Sequence, residues 1–413
     1  MSLLEILDEY ATPLYLYDKR IIIEKYNSLR TALGNKAKLF YSMKANPLMG
    51  ICKLMYQMGS GIEAASKGEI VTALRAGVPA AEIIFTSPGK TYEELDYAIK
   101  KGIKLINVDS YEEVKTIDEI AKKQGVKVNI SIRINPSENS NNARIKMAGV
   151  SSQFGVEESE INECLSLCKK LTNINICGFQ VYMGTQMLKA EDIENNTDYA
   201  LDLFIKLSER HAIDLKTVNV GGGFGVKYFD NEQELDMKDL EKRLRTVIEK
   251  YENKLADTEI IFESGRYLMA EAGRFITRVL YVKNSKGKKY VICDGGSNFH
   301  SAAAFLGRFV RNNFPVTTLT NDTEKEQVNV TGPLCTPLDL IGQNINIDKH
   351  IKKGDFIIIE KSGAYGLTYS PFGFLSHEIP MELMIDENEN VSILRDRMDI
   401  DTFIEKQSVI SFD

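Results

Sequence analysis

Eight short β-branched or apolar runs recur between residues 37 and 262, and segments of helical periodicity alternate with them. The runs cover residues 37–41, 61–64, 83–86, 104–108, 128–134, 174–182, 217–220 and 259–262; helical spacing of apolar residues marks 92–101, 112–124, 157–171, 192–211 and 237–252. This alternation predicts an α/β fold, either a closed (β/α)8 TIM-like barrel or an open doubly wound sheet. The ends of the runs favour closure. Lys44, Glu63, Ser87, Asp109, Arg133, Tyr182, Gly221-Gly222-Gly223 and Glu263 follow successive runs, and a barrel gathers the C-terminal ends of its strands around one site. An open sheet would concentrate such residues at a single switch point.

Beyond Glu271 the texture changes. Short alternating runs at 275–282, 289–293, 327–331, 355–360, 382–385 and 391–394 are separated by turn signals such as Asn284-Ser285-Lys286-Gly287 and Lys353-Gly354-Asp355. They predict a C-terminal all-β domain. Pro13-Leu14-Tyr15-Leu16-Tyr17 reads as an extra strand that can pair into it. At 413 residues the chain is long enough for two domains. The expected division is a barrel over 24–264 and a β-sandwich or β-barrel domain built from 1–23 and 265–413. Residues 135–155 fit no regular element and are expected to form a functional loop over the barrel mouth.

The formal net charge of -7 argues against a nucleic-acid partner. No window is apolar for long enough to span a bilayer, and Met1-Ser2-Leu3-Leu4-Glu5-Ile6 lacks the cationic start of a signal peptide. Cys52, Cys164, Cys168, Cys177, Cys293 and Cys335 form no CxxC pair, and no histidine stands at zinc-ligand spacing. A cytoplasmic protein with reduced thiols and no metal is therefore expected. His211, His300, His350 and His377 are isolated; only His300, after Asp294-Gly295-Gly296, falls near the presumed pocket, and its role is unassigned.

The chemistry centres on Lys44, in Leu39-Phe40-Tyr41-Ser42-Met43-Lys44-Ala45-Asn46-Pro47. An amine at the tip of a barrel strand can lose its proton and form an imine with an aldehyde. Gly221-Gly222-Gly223-Phe224-Gly225 follows the seventh run, where barrels commonly bind phosphate; glycines let the backbone amides approach an anion. In Glu263-Ser264-Gly265-Arg266, after the eighth run, the carboxylate can hold a proton on a pyridine nitrogen and Arg266 can reach a phosphate.

Together with Gly332-Pro333-Leu334-Cys335 and Gly363-Ala364-Tyr365-Gly366, these segments resemble the fold-type III pyridoxal phosphate decarboxylases. That family includes the diaminopimelate, ornithine and arginine enzymes and has an alanine-racemase-like barrel. The resemblance implies pyridoxal 5'-phosphate as cofactor, with Lys44 as its Schiff-base lysine and Glu263 paired to the ring nitrogen. It implies further that Gly223, Arg266 and Tyr365 hold the phosphate with a hydroxyl contact from Thr185, that Glu63 lies near the lysine and ring, that Tyr182 stacks on the ring, and that Gly222, Gly265 and Arg133 also bind the cofactor. Cys335 would be supplied across a homodimer interface to the partner's site, where it protonates Cα after carbon dioxide leaves. A thiol does this only in its neutral form.

Three departures bear on the substrate. Tyr182-Met183-Gly184-Thr185 stands where the family commonly has His-x-Gly-Ser, so the ring-covering residue cannot exchange a proton near neutrality. Thr336 follows Cys335 where enzymes of diamino acids have an acid, and Ala302 stands near the position of a carboxylate-binding arginine. A charged distal group without its counter-charge in a closed pocket would be strongly disfavoured. The pattern most resembles a branch, known in antibiotic biosynthesis, that decarboxylates glutamate held as a thioester on an acyl carrier protein. A free diaminopimelate, ornithine or lysine decarboxylase and a non-catalytic cofactor-binding homologue are the alternatives. Glu263 argues against a racemase, which usually avoids a carboxylate at that nitrogen. Arg308 with Arg311, or Arg144 with Lys146, are candidate contacts for an acidic carrier.

Overall fold

The computed structural model describes residues 1–137, 145–146, 151–304, 312–320 and 323–409. The chain divides into two units. Tyr26–Lys227 and Gln233–Tyr267 form one; Met1–Lys25, Tyr228–Glu232 and Leu268–Asp413 form the other.

The first unit is the expected barrel. Its strands are Ala37–Ser42, Gly61–Ala64, Ile83–Thr86, Leu105–Val108, Val128–Asn135, Ile174–Gln180, Thr217–Asn219 and Glu259–Ser264. Consecutive strands pair in parallel, and the ring closes where Glu259–Ser264 meets Ala37–Ser42. Gly61–Ala64, Ile83–Thr86 and Leu105–Val108 are buried along their whole length, as parallel strands covered on both faces must be. Phe40, Ile84, Leu105, Cys177 and Ile261 make one cluster of this interior. A Cβ at Gly61 would lie 2.3 Å from the Phe40 ring, so any larger residue there would have to displace that buried ring.

Local signals set the helices. Tyr92–Lys101 starts on a Thr91/Glu94 capping box and stops at left-handed Gly102; Tyr111–Gln124 starts on Ser110 and stops at left-handed Gly125. The expected helix over 157–171 is shorter, Ile161–Cys168. Val156–Glu157 instead forms a strand beside Ile134 and Asn135. Asn135, expected to begin the long loop, therefore ends the fifth strand, and its amide donates to Glu157 Oε1 at 2.8 Å. Ile145–Lys146 pairs with Gly184–Thr185. Most of the remaining loop, including Arg144, lies outside the described residues, as do Arg308, Arg311 and the side chain of Lys146.

The second unit is a mixed nine-stranded sheet. The strand Gly273–Ser285 is its spine: its first half pairs with Leu14–Asp18 and Phe356–Ile359, its second with Lys288–Cys293. Leu14–Asp18 also pairs in parallel with Met381–Ile385, so the N-terminal strand is inserted between C-terminal ones, as expected. The strands Val316–Thr318 and Leu340–Asp348 and the helix Leu3–Glu9 have no counterpart in the sequence reading. Tyr228–Glu232 groups with this unit because the Tyr228 ring packs on Phe314, with centroids 4.9 Å apart. His300 is fully buried here, its Nε2 2.8 Å from Ser362 Oγ. Among the described residues no helix is long and apolar enough to cross a membrane.

Candidate active site

The barrel brings most of the expected site residues to one end. Lys44 lies in the short turn Met43–Ala45 that follows the first strand. Its side chain is 43% exposed, and Nζ lies 3.3 Å from Oε1 of Glu63, a carboxylate 1% exposed at the end of the second strand. Nζ also stands 5.9 Å from the centroid of the Tyr182 ring. The amine is thus reachable from outside yet held by a buried carboxylate.

Glu263 is buried on the eighth strand. Its Oε1 accepts from Asn219 Nδ2 at 2.7 Å and from Gln180 Nε2 at 3.0 Å. Burial pushes its carboxyl up to about 7, and the negative Glu63 adds to the rise. Lys44, the Asn219 hydrogen bond and Arg133 oppose it. Lys44, Glu63, Arg133 and Glu263 therefore share one electrostatic neighbourhood.

Asn219 has a second task. Its Oδ1 accepts from the Gly221 amide at 2.9 Å, so one carboxamide ties the glycine turn to Glu263. The turn admits no side chains. A Cβ at Gly222 would lie 1.7 Å from the Glu263 carbonyl oxygen, and one at Gly223 would lie 2.3 Å from that of Gly184. Gly221 and Gly223 are left-handed, with φ of 72° and 90°. Thr185, half-buried, lies two residues before Met187, whose amide donates to Gly223 O at 2.9 Å and whose carbonyl accepts from the Gly225 amide at 2.8 Å. Gly265 packs the Glu263–Arg266 corner against the Lys44 turn: a Cβ there would meet Ser42 O at 2.7 Å and the Ala45 Cβ at 2.8 Å. Arg266 opens the short helix Arg266–Met269.

Arg133 is buried near the end of the fifth strand, its Nη1 3.5 Å from Asp109 Oδ1 and its guanidinium carbon 4.5 Å from the Phe154 ring centroid. Cys335 and Tyr365 belong to the sheet unit. Cys335 is an exposed free thiol; Tyr365 is left-handed, with φ of 55°, and meets Tyr369 edge to face.

Sequence reasoning missed Gln180, Asn219 and Glu69. The first two end apolar strands with carboxamides, a signal of the same kind that marked Glu63 and Arg133. Glu69 accepts from the Ala65 amide at 2.6 Å, and burial pushes its carboxyl up to about 7; as the first-turn acid of an ordinary surface-patterned helix it gave no such signal.

A barrel whose strand ends join a reachable amine, buried carboxylates and a bare-backbone turn is built for a phosphate-bearing aldehyde cofactor. The residues fit that group. Glu63 Oε2 is buried with no hydrogen-bond partner among the described residues, which leaves an acceptor facing the amine's surroundings. The cradle at Gly222 and Gly223 would be filled by any Cβ.

The chain belongs to the pyridoxal-dependent decarboxylases, whose pyridoxal binding domain matches residues 19–270. It is 37% identical over 404 residues to the L-glutamyl-(BtrI acyl-carrier protein) decarboxylase of Niallia circulans, covering 96% of this chain and 94% of that one. Identity to the diaminopimelate decarboxylase of Aquifex aeolicus is 30%, over 98% of this chain and 94% of the relative. The crystal structure of diaminopimelate decarboxylase from Helicobacter pylori complexed with L-lysine matches with a TM-score of 0.88 at 31% identity, covering 98% of each chain. The protein is thus a pyridoxal-phosphate-dependent carboxy-lyase of amino acids.

Proposed function

We propose that this enzyme removes the α-carboxyl group of glutamate carried as a thioester on an acyl carrier protein, leaving a 4-aminobutyryl thioester. The observation that carries this reading is the pair Thr336 and Ala302, which offers no charge to the far end of a substrate. A thioester is neutral there, whereas a diamino acid brings an ammonium that needs a partner. The activity of the Niallia relative supports the same substrate.

Lys44 would anchor the cofactor through its Nζ, which Glu63 holds at 3.3 Å. Bound pyridoxal phosphate supplies the sink for the electron pair released as carbon dioxide departs. Glu263, aligned by Asn219 and Gln180, keeps a proton on the ring nitrogen. Gly222, Gly223, Gly265, Thr185 and Arg266 would hold the phosphate. Tyr182 would cover the ring, and Glu63 and Arg133 would help to bind it. Cys335 of a second copy delivers the proton that replaces the carboxyl group at Cα; its exposure leaves it available to a neighbouring chain. All six thiols are free, which supports placing the reaction in the reducing cytoplasm.

The test is intact mass spectrometry of a glutamate-charged carrier protein incubated with the enzyme and pyridoxal phosphate, beside free diaminopimelate, ornithine, lysine and glutamate. Loss of one carbon dioxide from the charged carrier alone is expected. Turnover of a free diamino acid with an inert carrier would overturn the reading.

A further inference from the structure

Lys90 has no place in the chemistry above, yet its side chain is entirely buried. It sits in the turn between the third barrel strand and the helix Tyr92–Lys101. Nζ donates to Ser87 O, Asn107 O and Glu113 Oε1, each at 2.6 Å, and stands 5.5 Å from the Phe85 ring centroid. A lysine could reach solvent from a loop by extending its stem; this one instead gives up its hydration, which is tolerable only when the ammonium is fully paired.

The pairing leads inward. Asp109 Oδ2 lies 3.8 Å from the ammonium and has no hydrogen-bond partner among the described residues. The other oxygen of Asp109 accepts from the Gly155 amide at 2.8 Å and faces Arg133 Nη1 at 3.5 Å. Glu113 completes the frame by accepting from the Asp109 amide at 2.9 Å. Gly155 is left-handed and pressed on the end of the fifth strand, where a Cβ would come within 3.1 Å of Arg133 O. Phe154, the next residue back, covers the Arg133 guanidinium. At the inner end Arg133 favours the charged form of Glu263. Lys90, Asp109 and Arg133 come from three successive strand ends, so the relay runs around the barrel rim rather than along one element.

We propose that Lys90 is a positioning residue: its buried ammonium holds the Asp109 carboxylate against Arg133 and Gly155, and so keeps the Arg133 guanidinium turned into the cofactor pocket. The inference rests on Arg133 being a cofactor-binding residue. Unlike a lysine that only stabilises its own turn, Lys90 then matters to the cofactor solely through Arg133.

That difference is measurable by absorbance titration of the cofactor-free protein with pyridoxal phosphate, for wild type, Lys90→Met, Arg133→Met and the double variant, each with its thermal midpoint. Lys90→Met is expected to weaken cofactor affinity roughly tenfold, as loss of a supporting outer partner commonly does. The double variant is expected to bind within about twofold of Arg133→Met alone, the mark of two residues acting in one chain. Losses that multiply would overturn the proposal, as would an unchanged affinity in Lys90→Met. If Lys90→Met fails to fold, the same cycle with Asp109→Asn applies the same criterion. A wild type that bound no cofactor would overturn this inference and the family reading together; an inert glutamyl carrier would overturn only the substrate, because no substrate enters the titration.

Discussion

Glu263 shows what a single buried carboxyl contributes. Burial raises its pKa from the ordinary 4.5 to about 7 in the cofactor-free barrel, so between those values the folded chain holds a proton that the unfolded chain has released. The sign follows: where the native state binds more protons, stability falls as pH rises. This group's contribution is therefore present below about 4.5 and is lost as pH climbs to about 7. Glu263→Gln, neutral at every pH, is expected to flatten the dependence of the melting temperature of the cofactor-free protein on pH across that window. A slope equal to that of the wild type would refute the assignment. With Glu263 in its proposed place at the ring nitrogen, the same substitution in the holoenzyme would offer that nitrogen a neutral amide, and a fall in turnover of about 10²-fold or more is expected.

Among elements, the turn after the seventh strand carries the tightest constraint. Its three glycines are needed for different reasons: Gly221 and Gly223 for positive φ, Gly222 for the close approach of the Glu263 carbonyl. Because a Cβ at Gly222 would strike backbone rather than a side chain that can rotate away, the strands themselves would have to part. Gly222→Ala is expected to cost at least about 3 kcal/mol in urea unfolding, beyond the usual range for overpacking, and to weaken phosphate binding. A near-neutral change would mean that the seventh and eighth strands are looser than their hydrogen bonds imply. The turn was visible in sequence because glycines are rare in such runs. The shortening of the helix at 161–168 was not: Val156–Glu157 is pulled into extended pairing by Ile134–Asn135, residues more than twenty positions earlier, and no local pattern carries that contact.

At the level of the whole molecule, the proposal that Cys335 serves the site of a neighbouring chain would make activity a property of the pair. Lys44→Ala and Cys335→Ala chains, each inactive alone, are expected to recover partial turnover when mixed under conditions of confirmed subunit exchange. No recovery would refute shared sites. What the amino-acid order determined by itself was whatever neighbours along the chain can encode: the alternation of strands and helices, caps such as Thr91 and Gly102, the glycine turn, and the one or two polar residues placed at each strand end. Lys44, Glu63, Arg133 and Glu263 were legible for that reason. Only the closed barrel decided that Gln180 and Asn219 would grip Glu263, and that the side chain of Lys90 would be cut off from water while bonded to Asn107 and Glu113. Those bonds join residues on different segments of the chain, brought together by parallel register and ring closure, and their strength comes from a burial that no single segment possesses.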